Sequence, residues 1–267
     1  MGPEPLVRHH ARICGNPASD RWIVFVHGFG TDQSAWAAVA AAFADRHRLL
    51  LFDNAGAGAT APDDFVQHRY LTLDGYARDL VAVCRAAGLT QGVFVGHSVG
   101  AMIALHAAIA EPELCRRLVL LSGSPRYLDE AGYHGGFTEA DLEQIYRDVT
   151  DRHDRWAERF AHRVMDPDHP DLARQFAYNL KAIPADRTLT VLYSIFQSDV
   201  RRQLPLVRQP TLIVQGRDDP AVPMDVALYL NRSIPGSRLA VIPARGHLPH
   251  VSAPALVVQA IRDFIDG

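Results

Sequence analysis

The chain is 267 residues long and 48% hydrophobic, with 27 Lys and Arg against 30 Asp and Glu and a formal net charge of −3. That length suits one large domain, or one domain carrying an insertion, with residues enough for a substantial core. Mild acidity and scattered arginines leave no basic block to neutralise a phosphate backbone, which argues against nucleic-acid binding.

Residues 1–5 lack the basic segment and apolar stretch of a signal peptide. No run approaches the roughly 20 apolar residues that cross a bilayer, so a soluble, cytoplasmic protein is expected. Cys14, Cys84 and Cys115 are widely spaced and odd in number. Without a CxxC or Cys/His cluster they read as small buried hydrophobes in a reducing compartment, not as a zinc site. The segment around 7–13 is expected to add an antiparallel edge strand, and His9-His10 to be a solvated pair.

Strands are expected at 23–26, 49–52, 93–95, 118–121, 212–214 and 239–242, each apolar on both faces as in a parallel sheet covered by helices. Helices are expected at 35–44, 73–87, 101–110, 226–232 and 254–265. The alternation predicts an α/β fold with a doubly wound, mostly parallel sheet. One interval breaks the rhythm. From 122 to 210 no strand is expected, and helical pieces at 139–149, 155–164, 172–182 and 189–196 suggest a helical lid inserted between two strands. Asp53-Asn54-Ala55-Gly56-Ala57-Gly58 follows a strand but lacks GxGxxG spacing and a P-loop lysine, so it reads as a structural turn and no cofactor is expected.

The chemistry centres on Gly96-His97-Ser98-Val99-Gly100, between the strand at 93–95 and a helix-forming run. Glycines on both sides of Ser98 permit a sharp reversal that lifts its hydroxyl over the sheet edge. A serine needs a base, and His247, just after the last strand, has the right side chain, with an ordinary pKa of about 6.5. A carboxylate must orient that imidazole. Asp219, four residues before Pro223, is preferred to Asp218, which is expected to face solvent or cap the turn. His97 is expected to point away from Ser98, and His250 to be a surface or packing histidine. Oxyanion donors are expected from the amides of Val99 and Phe29, the latter in His27-Gly28-Phe29-Gly30 after the first parallel strand. No histidine shows metal-ligand spacing.

With these motifs assembled, the chain resembles one branch of the α/β-hydrolases: the bacterial RsbQ stress-signalling hydrolases and the plant karrikin- and strigolactone-receptor hydrolases. The resembling segments are 28–36, 53–58, 96–100, 124–127, 135–137, 195–201 and 245–247. It departs from the pattern before His27, at Pro220 and through the middle of the lid. The resemblance implies a four-helix lid at 126–199 over a core formed by 1–125 and 200–267. It implies an apolar pocket lined by Phe29, Tyr127, Phe137, Phe160, Phe176, Ile195, Phe196 and Ala221. It also implies a serine hydrolase acting on a small hydrophobic ester or lactone. The alternative it carries is a ligand sensor that hydrolyses slowly and signals to a regulatory protein partner.

Overall fold

The computed structural model describes residues 4–267. It opens with helix α1 (Glu4–Arg8) and strand β1 (Arg12–Gly15), followed by β2 (Trp22–Val26), a 3-10 turn at Gln33–Trp36, α2 (Ala37–Ala41) and β3 (Arg48–Leu51). The antiparallel edge strand is present, paired with β3, but it starts at Arg12. Val7 lies instead in α1, whose Glu4 and Arg8 pair one turn apart at 2.5 Å. Cys14 on this edge is exposed, unlike the buried Cys84 and Cys115. His9 is also buried, its Nδ1–H donating to the Asp53 carbonyl at 3.0 Å, and only His10 faces solvent. The expected pair is therefore split.

α3 (Leu73–Ala86), β4 (Gly92–His97), α4 (Val99–Ala110) and β5 (Cys115–Leu121) follow. Among the described residues the sheet has seven strands in the order β1-β3-β2-β4-β5-β6-β7, all parallel except β1. Its last strands are β6 (Thr211–Asp218) and β7 (Arg238–Arg245). Alternate residues of β2 divide between the faces, as period-two geometry requires. Ile23 and Phe25 join Trp36, Val95, Val119 and Phe264 on one face, while Val24 and Val26 join Phe94, Leu118 and Met102 on the other. Each such buried side chain contributes on the order of 1.5–3 kcal/mol. α4 is apolar on every side and buried from Val99 to Leu105, as a helix in the centre of a domain must be.

Between β5 and β6 lie α5 (Glu139–Val164), α6 (Pro170–Ala182) and α7 (Ala185–Gln197). Thr138 and Asp141 form a reciprocal capping box that starts α5. The two helices expected at 139–149 and 155–164 both lie within this span, on either side of a kink at Arg152, whose φ and ψ of −150° and 50° leave the helical region. Both α6 and α7 begin earlier than expected: Pro170 presets the first turn of α6, and α7 starts directly after Pro184, which is extended at its N-cap. The only pairing of strand type inside this interval consists of the isolated bridges Leu128–Phe137 and Glu130–Tyr133. α8 (Met224–Ser233) connects β6 to β7, and α9 (Pro249–Ser252) and α10 (Pro254–Ile265) close the chain.

Candidate active site

Strand register lines up one rim of the sheet. Val26 of β2 pairs with Gly96 of β4, His97 with Leu121 of β5, and Asp218 of β6 with Arg245 of β7. The loops leaving these strands therefore emerge side by side, where open α/β sheets bind ligands. Ser98 sits at the β4–α4 turn with φ 55° and ψ −125°, a conformation that costs a side chain of this type on the order of 1–3 kcal/mol. Close approach explains its glycines. A Cβ on Gly96 would lie 2.4 Å from the Gly100 carbonyl oxygen, and one on Gly100 would lie 2.4 Å from that of His27.

Three side chains far apart in sequence meet here. Ser98 Oγ donates to His247 Nε2 at 2.8 Å, and His247 Nδ1 donates to Asp219 at 2.9 Å to Oδ2 and 3.0 Å to Oδ1. The Asp219 carboxylate is fully buried and accepts further bonds from the amides of Ala221 and Val222 and from Gln215 Nε2. Fixed in this way, it holds His247 in the tautomer whose Nε2 can accept a proton. Asp218 is exposed at the end of β6, its carbonyl accepting the Gly246 amide.

The chain matches known proteins along nearly its whole length. The model of the alpha/beta hydrolase fold family matches residues 21–254. The chain belongs to that family. Karrikin insensitive 2 receptor CA of Petunia hybrida is 40% identical over 255 residues, covering 95% of this chain and 94% of the relative. Strigolactone esterase D14 of Arabidopsis thaliana is 39% identical over 254 residues, with coverage of 95% and 94%. Among solved structures, a hydrolase from Oleispira antarctica superposes with a TM-score of 0.95 at 27% identity, covering 100% of this chain and 98% of that one.

In this alpha/beta hydrolase the rim carries three more histidines, and all are held neutral. His27 accepts the Asn54 amide at Nε2 and donates from Nδ1 to the Gly28 carbonyl, each at 2.8 Å, which ties the loops after β2 and β3 together. Burial lowers its pKa. His97 turns away from the Ser98 hydroxyl, as expected, but it is not idle. Its Nε2–H donates to the His247 carbonyl at 2.8 Å and so anchors the loop that presents the base. Its ring packs 4.2 Å from that of His250, which is enclosed between His97 and Trp36. Burial first, then neighbouring His250 and His247, hold the His97 pKa well below its ordinary value. Burial likewise brings His250 down to about 3. His250 is thus a packing residue, and no surface histidine.

The His247 loop is also tied to the helical segment. The His247 amide donates to the Val164 carbonyl at 2.7 Å, and Arg245 pairs with Asp168 at 2.9 Å. Sequence reasoning missed the His247–Val164 anchor because a main-chain bond leaves no mark on residue type.

The Val99 amide is the first of α4, where helices leave N–H groups unpaired. Val99 and Phe29 line the same narrow apolar cavity of about 30 Å³, with Tyr76, Ile103, Val191 and Ser194. The other expected pocket residues fall into two packed groups. Tyr127 and Phe137 meet the Phe196 ring edge-on at 6.2 and 5.1 Å, and the Tyr127 hydroxyl lies 3.3 Å from Ser98 Oγ. Phe160 and Phe176 lie 6.4 Å apart, linked through Trp156 to Phe29. Ile195 is buried on α7, and Ala221 is buried beside the orienting carboxylate, to which its amide donates. Trp156 was missed, although its spacing four residues before Phe160 places both on one helix face and could have flagged it.

Proposed function

We propose that this hydrolase cleaves a small hydrophobic ester or lactone through an acyl-enzyme. Ser98 Oγ attacks the carbonyl carbon while His247 Nε2 takes its proton. The Phe29 and Val99 amides receive the oxyanion, each contributing on the order of 3–4 kcal/mol to the transition state. His247 returns the proton to the leaving oxygen, then activates water to release the acid. The observation that carries this reading is the 2.8 Å bond from Ser98 to an imidazole whose far nitrogen is fixed by a buried carboxylate. No group of three or more His, Cys, Asp or Glu suited to a metal occurs among the described residues, and the relay itself calls on neither metal nor cofactor.

The rest of the assignment rests on the family resemblance. Residues 126–199 act as a lid over a core of 1–125 and 200–267, with Tyr127, Phe137, Phe160, Phe176, Ile195, Phe196 and Ala221 repacking around ligand. The cavity shared by Phe29 and Val99, about 30 Å³, is far below the roughly 300–1,000 Å³ of a ligand pocket, and on this reading ligand entry displaces α7, whose Val191 and Ser194 line it. No helix among the described residues is long and apolar enough to cross a membrane, which suits a cytoplasmic enzyme.

One observation favours a signalling role beside catalysis. The base's own amide is held by the last turn of α5, so lid displacement and the catalytic geometry are mechanically joined. A ligand that moves the lid would then change the surface offered to a regulatory protein, as the receptor names of its relatives suggest.

The test is Ser98→Ala assayed with p-nitrophenyl acetate. Turnover should fall by at least about 10³-fold with the melting temperature kept, as removal of a triad nucleophile does elsewhere. A purified mutant that retains wild-type turnover overturns the assignment.

A further inference from the structure

Tyr127 has a hydroxyl with one hydrogen-bonding neighbour among the described residues, the nucleophile. Its oxygen lies 3.3 Å from Ser98 Oγ, and the ring is 4% exposed, wedged edge-on against Phe196. Since the Ser98 proton is directed at His247 Nε2, the remaining polarity is fixed: the phenol donates and Ser98 Oγ accepts. Packing against aromatic rings requires no hydroxyl. A buried phenol normally finds a firm partner, and this one has only a long bond to an atom about to react.

We infer that Tyr127 is a further catalytic residue, whose O–H binds the departing oxygen of the ester once Ser98 has attacked. The inference rests on the hydrolase reading above. When Ser98 Oγ bonds to the carbonyl carbon it gives up its proton to His247 and becomes a weak acceptor, which frees the phenol. The carbonyl oxygen is drawn to the Phe29 and Val99 amides. The alkoxy oxygen stays within reach of the groups that already surround Oγ, which are His247 Nε2 and the Tyr127 hydroxyl. As the carbon–alkoxy bond breaks, His247 supplies the proton that neutralises the leaving oxygen. Tyr127 keeps its own proton throughout and only donates a hydrogen bond. Burial raises the Tyr127 pKa, so the phenol stays a neutral donor at any working pH.

Such a bond matters most where the leaving oxygen develops most charge. Tyr127→Phe, which keeps the ring and its packing, is compared with wild type on p-nitrophenyl acetate, phenyl acetate and ethyl acetate, following acid release. The rate should fall about tenfold on ethyl acetate, the worth of one hydrogen bond of roughly 1.4 kcal/mol, and about twofold or less on p-nitrophenyl acetate. Phenyl acetate should lie between. An equal loss on all three esters, or no loss on any, overturns the inference and leaves Tyr127 as packing. Wild-type protein that hydrolyses none of them removes the hydrolase reading itself, and this inference with it.

Discussion

At the sheet rim the groups of the relay, Ser98, His247 and Asp219, are joined by directional hydrogen bonds, whereas in the helices between β5 and β6 the inward side chains meet one another across broad apolar faces. Asp219 alone accepts from His247, Ala221, Val222 and Gln215. Trp156, by contrast, stacks on Phe160 at 5.3 Å and on His153 at 5.8 Å and leans on Phe29 at 6.3 Å, with its indole N–H unpaired. Directional bonds fix an atom to a few tenths of an ångström and fail when one partner changes. Apolar contact is additive and can be remade in another packing. A rim that holds a reacting geometry and helices that, on the proposed reading, move to admit ligand have opposite needs, and the two regions differ accordingly.

The sharpest way to break the rim is Asp219→Asn. The amide can still accept from Ala221 and Val222, so the fold should persist. It cannot serve as the anion that fixes and stabilises the protonated imidazole, and kcat should fall by about 10³–10⁴ with KM little changed. Steady-state kinetics on p-nitrophenyl acetate checks this. A loss below tenfold would mean that the His97 and Val164 bonds alone hold the base in place.

The corresponding change in the helices between β5 and β6 is Trp156→Ala, and its signature should be reversed. Removing a 3%-exposed indole is expected to cost about 3–5 kcal/mol of stability. Under conditions where the variant remains folded, kcat should stay within about threefold of wild type while KM rises. Urea unfolding measures the first effect and kinetics the second. A kcat collapse with KM unchanged would place Trp156 in the chemistry of the rim.

The same contrast explains what could be read from residue types. Strand runs such as Trp22–Val26, buried at every position, announce themselves by unbroken apolarity, and Ser98, Asp219 and His247 by their place after such runs. The edge strand expected around 7–13 starts only at Arg12, because the helical turn Glu4–Arg8 before it has too few residues to show a period. His9 was misjudged because its partner is the Asp53 carbonyl, which every residue carries. Between β5 and β6, amphipathic spacing revealed the helices, including the break near Arg152 that separates the expected pieces at 139–149 and 155–164. The aromatic pocket residues came from family resemblance, since core and pocket place the same side chains at the same spacing.

The smallest expected effect separates the rim's neutral histidines from its working one. His97 and His250 stay uncharged in the folded protein, His250 down to about 3, while in the unfolded chain each takes a proton near its ordinary value of 6.5. Below about pH 6.5 the unfolded state therefore binds protons that the folded state refuses, so stability falls as pH falls. Each such group adds about 1.4 kcal/mol per pH unit to the slope, and the contribution of His250 extends towards pH 3. His250→Gln, which cannot titrate, should reduce the slope between pH 6 and about pH 4.5 by one proton's worth whatever its effect on stability at neutral pH. Urea midpoints across that range measure it. An unchanged slope would mean that His250 is already charged or solvated in the folded state. The stack of Trp36, His250 and His97 beneath the His247 carbonyl would then lose its role as a dry, neutral footing for the base.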